Sequence, residues 1–310
     1  MNKKIRFMSL LIVTAIFIAL LSSNIQANTV IDGVEKIVSL HEYNEYSYIS
    51  ELMTTETVGL TDIGITETNA VAMYNSFFVT LQERALLSEK ELISMGYDDA
   101  EIEIFRKYAL GNSLTENELM AISGTCSGSL MLISCTNNQA EFRYYWAWDH
   151  KPIFAWGDSA AIRWMAYDSN GYDLNVIKTN AESNIKYYDG NTFINNASGT
   201  FETGLDFNSV NLQFDMSITY TTPTTIQSIK YAKSGNIDVT VALAQGVNNA
   251  INHIMVAGAY GHSTLSLDFP SISYSPPDSI SIDFSPNATV EMIAIRQAVI
   301  YPTPRIEYID

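Results

Sequence analysis

"AIRWMAYDSNGYDLNVIK", residues 161 to 178, decides the fold. After Asp168-Ser169-Asn170-Gly171 apolar and polar residues alternate from Tyr172 to Val176, the period of a strand with one buried face, and the run before it, Ala161 to Tyr167, is apolar apart from Arg163. Asn170-Gly171 tolerates the positive backbone angles of a tight connection, so the stretch reads as strand, turn, strand. "IKYYDGNTFI" (185 to 194) repeats the pattern around Asp189-Gly190. "VNLQFDMSITY" (210 to 220), "GNIDVTVALAQ" (235 to 245) and "HSTLSLDF" (262 to 269) continue it. Short strands punctuated by turns, with no long helix between them, predict an antiparallel β-sandwich or barrel-like domain. "ALAQGVNNAINHIMVAGAYG" (242 to 261) reads either as an alanine-rich helix or as two strands around a turn.

Upstream of residue 125 the period changes. In "TETNAVAMYNSFFVTLQERALL" (66 to 87), Val71, Met73, Tyr74, Phe77, Phe78 and Leu81 recur at three- and four-residue spacings, which predicts an amphipathic helix. Three shorter helices follow. Ser88 with Glu91, Asp98 with Glu101, and Thr115 with Glu118 each have capping-box spacing, and Gly96 and Gly111 stand where two helices should end. Leu92, Ile93, Ile102, Phe105, Tyr108, Leu119 and Ile122 are expected to share a small core. "LISMGYDDAEIEIF" resembles, over 14 residues, the Met-Gly-aromatic loop of ubiquitin-associated three-helix domains. The resemblance implies a local helix–glycine–helix geometry and no activity.

The fold class expected is therefore α+β, a helical N-terminal segment followed by an antiparallel β-sandwich. Residues 1–27 are set aside from it. Lys3, Lys4 and Arg6 precede an apolar run from Phe7 to Leu21, and Ala27 closes a cleavage-like site, the layout of a secretory signal peptide. That predicts a secreted, extracellular protein without an anchor, with a helical region over 28–124 and a β-domain over 125–310. The helical region would serve as packing module, partner-binding module or removable propeptide.

Composition excludes one partner class. The chain has 17 basic and 34 acidic residues; without the three basic residues of the leader the charge is −20. Such a surface repels nucleic acid.

Cys126 and Cys135 are the two cysteines. So close a pair in an exported protein is expected to form a disulfide. Cys126-Ser-Gly is also similar, over three residues, to a stretch of some cell-wall cysteine peptidases, which would make Cys126 a nucleophile; two idle thiols are the third reading.

Other chemistry leaves little trace. His41, His150, His253 and His262 have no zinc-ligand spacing, and no nucleophile elbow, phosphate loop or dinucleotide fingerprint occurs. No cofactor is implied. Calcium alone is chemically permitted, through Asp149, Asp158, Asp168 and Asp173, although "DSNGYD" lacks the glycine position of an EF-hand.

The densest feature is "FRYYWAWDHKPIFAWGDSAAIRW" (142 to 164), which holds all four tryptophans. On a strand, Tyr144, Trp146 and Trp148 share one face. Core packing is the first reading. The second is a ligand or membrane interface formed by Tyr144, Trp146, Trp148, His150, Trp156 and Trp164. "PSISYSPPDSISIDFS" (270 to 285) reads as a structural hairpin with one apolar face, its arms shorter than the roughly 9 to 11 residues of a membrane-spanning strand.

The functional expectation is a diffusible, non-enzymatic effector of bacteriocin or toxin type, antimicrobial in effect, whose partner is a target-cell envelope, membrane or surface glycan. The alternatives are a glycan- or protein-binding module that uses the aromatic face and, more weakly, a secreted hydrolase.

Overall fold

A computed structural model describes residues 36–55, 65–201, 208–222, 225–264, 272–274, 282–284, 290–300 and 306–309. The expected signal peptide lies outside them. The described residues mix helix and strand, and every strand pairing is antiparallel. Among these residues no helix is long and apolar enough to cross a membrane.

The helical part begins with a strand, β1 (Lys36–Asn44), followed by α1 (Glu45–Thr54), α2 (Glu67–Ala85), α3 (Glu89–Ser94), α4 (Asp99–Ala109) and α5 (Glu116–Ile122). All three expected capping boxes form at the starts of α3, α4 and α5. Each satisfies backbone donors that a helix start leaves orphaned. Gly96 (φ 94°) and Gly111 (φ 82°) take the left-handed conformation that ends α3 and α4. Met73, Phe77 and Leu81 of α2 are fully buried, whereas Val71 and Ile93 are 40% and 48% exposed and face away from the shared core. Leu92, Ile102, Phe105, Leu119 and Ile122 join that core, as their spacing predicts.

The remaining chain forms two seven-stranded sheets. The first contains β1, β2 (Thr125–Cys135), β3 (Gln139–Trp148), β6 (Val176–Asp189), β7 (Thr192–Ala197), β10 (Ser217–Thr222) and β11 (Thr225–Leu243). The second contains β4 (Gly157–Tyr167), β5 (Asp173–Leu174), β8 (Thr200–Phe201), β9 (Ser209–Asp215), β12 (His253–Ser263), β15 (Val290–Ile300) and β16 (Ile306–Ile309). The hairpin over 185–194 forms between β6 and β7, with Asp189 paired to Thr192 and Gly190 at φ 58°. Two expected strands are cut by a single-residue corner. The chain passes between sheets at Asn175, between β5 and β6, and at Met216, between β9 and β10. The ambiguous 242–261 stretch is two strands around a loop, with Gly246 at φ 86°.

Inward residues of both sheets share one core. β3 alternates buried and partly buried positions, so Phe142, Tyr144, Trp146 and Trp148 all enter it. Trp146 stacks on Phe214 of the other sheet (centroids 5.2 Å, 22°). Gly258 on β12 leaves room for the Tyr144 ring, whose Cδ2 would stand 2.5 Å from an added Cβ. Fully buried aromatics each remove roughly 150–250 Å² from water, so this stripe contributes heavily to the apolar core.

One expectation is corrected here. Cys126 and Cys135 are free and occupy the two ends of β2. Nine residue steps along the strand separate them, roughly 30 Å at the usual rise, far beyond the reach of a disulfide. Elements from either side of residue 124 also touch. β1, from the supposed helical region, pairs with β2 along the edge of the first sheet. Ile153 and Phe154, from the loop after β3, enter the helical core in return. Residues Glu35–Asp310 accordingly form a single compact unit. Of 270–285, the described residues β13 (Ile272–Tyr274) and β14 (Ile282–Phe284) pair, with Ile272 against Phe284 and Tyr274 against Ile282; the turn between them lies outside the described residues.

Candidate functional site

The corner that joins β1 to α1 brings together groups far apart in the chain. In the first sheet, Tyr43 pairs with Cys126 and Cys126 with Trp148, so these three side chains form a row across β1, β2 and β3. In the second sheet, Gly261 pairs with Ser159, which places the next residues, His262 and Asp158, opposite each other. Glu45, first residue of α1, lies over the end of both rows. Asn44 fixes the corner: its Oδ1 accepts from Ser47 N–H, and its Nδ2 donates to Met120 O, Ser123 O and Thr125 Oγ1.

The His262 imidazole sits between two carboxylates. Nδ1 is 3.0 Å from both oxygens of Asp158, and Nε2 is 3.3 Å from Glu45 Oε1. A neutral ring donates from one nitrogen only, so serving acceptors on both sides requires the imidazolium. Burial alone would push this proton off; the Asp158 and Glu45 carboxylates outweigh it and raise the pKa to about 10. The Trp148 ring packs at a tilt 4.8 Å from the imidazole and Tyr43 lies in an edge arrangement at 6.3 Å, so aromatic rings line the cation's surroundings. Tyr260 O–H donates to Asp158 Oδ2 at 2.5 Å and accepts from Trp148 Nε1–H at 3.0 Å.

Glu45 carries a second duty. Its Oε2 accepts from Gly124 N–H (2.8 Å) and Ile153 N–H (2.7 Å), and its Oε1 from Phe154 N–H (3.0 Å). Arg84 of α2 grips the same loop from its carbonyl side. Its guanidinium donates to Lys151 O (2.9 Å), Pro152 O and Ile153 O (3.1 Å). The link between β3 and β4 is thus held at its amides by an anion and at its carbonyls by a cation.

A carboxyl pair flanking an imidazole is a familiar acid–base arrangement, but access decides its use. Glu45, Asp158 and His262 are each 0% exposed. No substrate reaches them in this conformation, so the trio acts as a charge-paired clamp between α1, the β3–β4 loop and the second sheet. The Cys126 thiol, 0% exposed on the neighbouring row, is pushed well up by burial and by the Asp158 charge. That is the opposite of what a nucleophilic thiolate requires.

Most residues weighed for an aromatic interface are buried, as the core-packing reading has them. Tyr144, Trp146 and Trp164 are 0% exposed, Trp148 is 2% and His150 is 1%. The face exists with the predicted parity, but it points into the core because inter-sheet packing claims it. His150 is enclosed by the Tyr97 ring at 4.3 Å and by the carbonyls of Ala121 and Lys151. Trp156 alone of the set faces solvent, at 42% exposure. It lines a cleft of about 280 Å³ with Thr80, Met95, Lys151 and Phe154. Burial, with Arg84 adding to it, lowers the Lys151 ammonium there to about 8.

Three of the four aspartates weighed for calcium are engaged elsewhere. Asp149 caps Thr125 and His150 N–H, Asp158 holds His262, and Asp168 folds its own turn. Among the described residues no group of three or more His, Cys, Asp or Glu is placed to hold a metal ion.

No family model matches this chain. No curated protein matches it either. A solved structure titled "AvmM Catalyzes Macrocyclization in Alchivemycin A Biosynthesis" overlaps 54% of this chain and 80% of that one, at 11% identity and a TM-score of 0.23. That likeness is too slight to assign a fold or an activity.

The sequence singled out His262 and Asp158 only within generic searches, and Glu45 and Tyr260 not at all. Positions 45, 158 and 262 have no mutual spacing to read. A local hint was an acid directly after the Asn44 cap, at the point where strand gives way to helix.

Proposed function

We propose that this is a secreted, non-enzymatic effector, bacteriocin- or toxin-like, that acts by contact on the envelope of a target cell. The observation that carries the reading is the sealing of Glu45, Asp158 and His262, at 0% exposure each. The assembly most suited to acid–base chemistry is closed to substrate and holds the scaffold together instead. Export is supported by the basic head and apolar run of residues 1–27, and free diffusion by the acidic surface. For the scaffold, the reading is a helical segment on an antiparallel β-sandwich. Its support is the Trp146–Phe214 stack and the common core of the two sheets.

A growth-inhibition panel of neighbouring species, run beside ester, peptide and glycoside turnover assays, tests the proposal. The expected outcome is inhibition of at least one species with no turnover. Turnover that disappears in His262→Gln would sink it.

A further inference from the structure

At the far end of β4, about 35 Å from Trp156 by strand rise, three connections converge. They are the β2–β3 turn, the β4–β5 turn and the β11–β12 loop. Ile251 N–H donates to Asn137 O (2.7 Å), Asn252 N–H to Tyr167 O (2.9 Å) and Leu243 N–H to Asn138 O (3.0 Å). Side chains add a cross-tie, with Asn249 Nδ2–H donating to Asp168 Oδ2 at 2.8 Å. Together they wall a cleft of about 380 Å³ lined by Asn137, Asp168, Asn170, Asn248, Asn249 and Asn252, with Ser169, Ala250 and Ile251 completing it.

We propose that this asparagine-walled cleft binds a neutral, hydroxyl-rich ligand, a glycan of the target-cell surface. The lining decides the ligand class by elimination. It contains no Lys or Arg, which a phosphate or carboxylate ligand would need. Its one carboxylate, Asp168, is 3% exposed, and its oxygens already accept from Asn170 N–H (2.8 Å), Tyr172 N–H (3.0 Å) and Asn249. That leaves no anionic oxygen set for a cation. The wall is too polar for a hydrocarbon ligand. Carboxamides remain, and each presents two donors and an acceptor side by side. Such a pair matches adjacent sugar hydroxyls, which donate and accept in turn. The volume falls within the roughly 300–1,000 Å³ of small-ligand sites. Tyr172, 71% exposed on the same turn, offers a ring face on which a pyranose can stack. Loops at one end of a rigid two-sheet scaffold are also where binding sites concentrate.

The inference deepens the effector reading by naming what the protein touches, and it rests on that reading for the source of the glycan. Its test uses the mature full-length chain on an array of neutral glycans, followed by calorimetric titration of any glycan retained. Asn248 and Asn252 are exposed, so Asn248→Ala/Asn252→Ala leaves the fold intact, which an unchanged melting temperature checks. The expected result is retention of at least one neutral glycan class, weakened tenfold or more in the double variant and unchanged in Trp156→Ala. Equal retention by the double variant overturns the inference, as does no retention at all. Binding that vanishes with EDTA and returns with calcium overturns it as well. Envelope damage is scored separately. Damage by the double variant equal to wild type removes the glycan site and leaves the effector reading standing. Glycan binding without damage to any cell does the reverse.

Discussion

Glu45 and His262 stand 217 residues apart in the chain and 3.3 Å apart in the fold, with both side chains fully enclosed. A contact of that sequence separation forms only when the first helix, the β3–β4 loop and the end of β12 are already in place. It therefore reports on the whole architecture, and its energetics give the sharpest tests.

His262 is charged in the native state and titrates near 6.5 when unfolded, against about 10 when folded. Its contribution to stability is complete below pH 6.5 and declines as pH rises toward 10. Lys151 works in the opposite sense only above about 8, where its depressed folded value parts from the unfolded one. Between pH 6.5 and 8 the imidazole dominates, and unfolding free energy should fall by about 1–2 kcal/mol. His262→Gln should flatten that slope and cost roughly 3–5 kcal/mol, because two buried carboxylates lose their cation. Urea unfolding at the two pH values measures both effects.

Glu45→Gln tests the loop clamp. The amide replaces an oxygen that now receives backbone N–H bonds from Gly124, Ile153 and Phe154 with a group that is itself a donor. Buried unsatisfied donors cost about 1–3 kcal/mol each. The variant should be destabilised by about 3 kcal/mol, with hydrogen exchange rising first at Ile153 and Phe154. Exchange there at the wild-type rate would deny Glu45 its holding role.

The thiols make a simple chemical prediction. Both cysteines should be free, so the intact mature protein carries no two-dalton deficit. Burial raises the Cys135 thiol to about 11 and the Cys126 thiol well above its ordinary range. Alkylation at pH 8 should be slow at Cys135 and should reach Cys126 only after denaturation. A disulfide found by peptide mapping would contradict the register of β2.

Three of the four tryptophans lie in the core, and Trp156 is the exposed one. Iodide should quench a single fluorescence component, and Trp156→Phe should abolish it. Quenching that survives this substitution would mean that the β3 aromatics face solvent.

The helices and most strands were legible because their signals are local. A capping box spans four residues, and the Asp189-Gly190 turn two. The parity that aligns Tyr144, Trp146 and Trp148 was legible for the same reason. Which way that face points was not, since it depends on Phe214 and Tyr260 approaching from the other sheet. The corners at Asn175 and Met216 were hidden as well, because alternation continues across them while the partner strand changes. Cysteine spacing misled on one physical point: the eight residues between the cysteines read as a short loop until both ends proved to lie on one extended strand. The clamp left no pattern, being assembled wholly from long-range pairing.

Dose dependence of envelope damage tests the central claim most directly. Target cells that take up a membrane-impermeant dye would be followed to completion at a series of protein concentrations. A contact agent is consumed as it engages its target, so the final extent of uptake should rise with dose and level off below completeness at low dose. Uptake that reaches the same final extent at every dose, only more slowly at low ones, would reveal turnover and contradict the account.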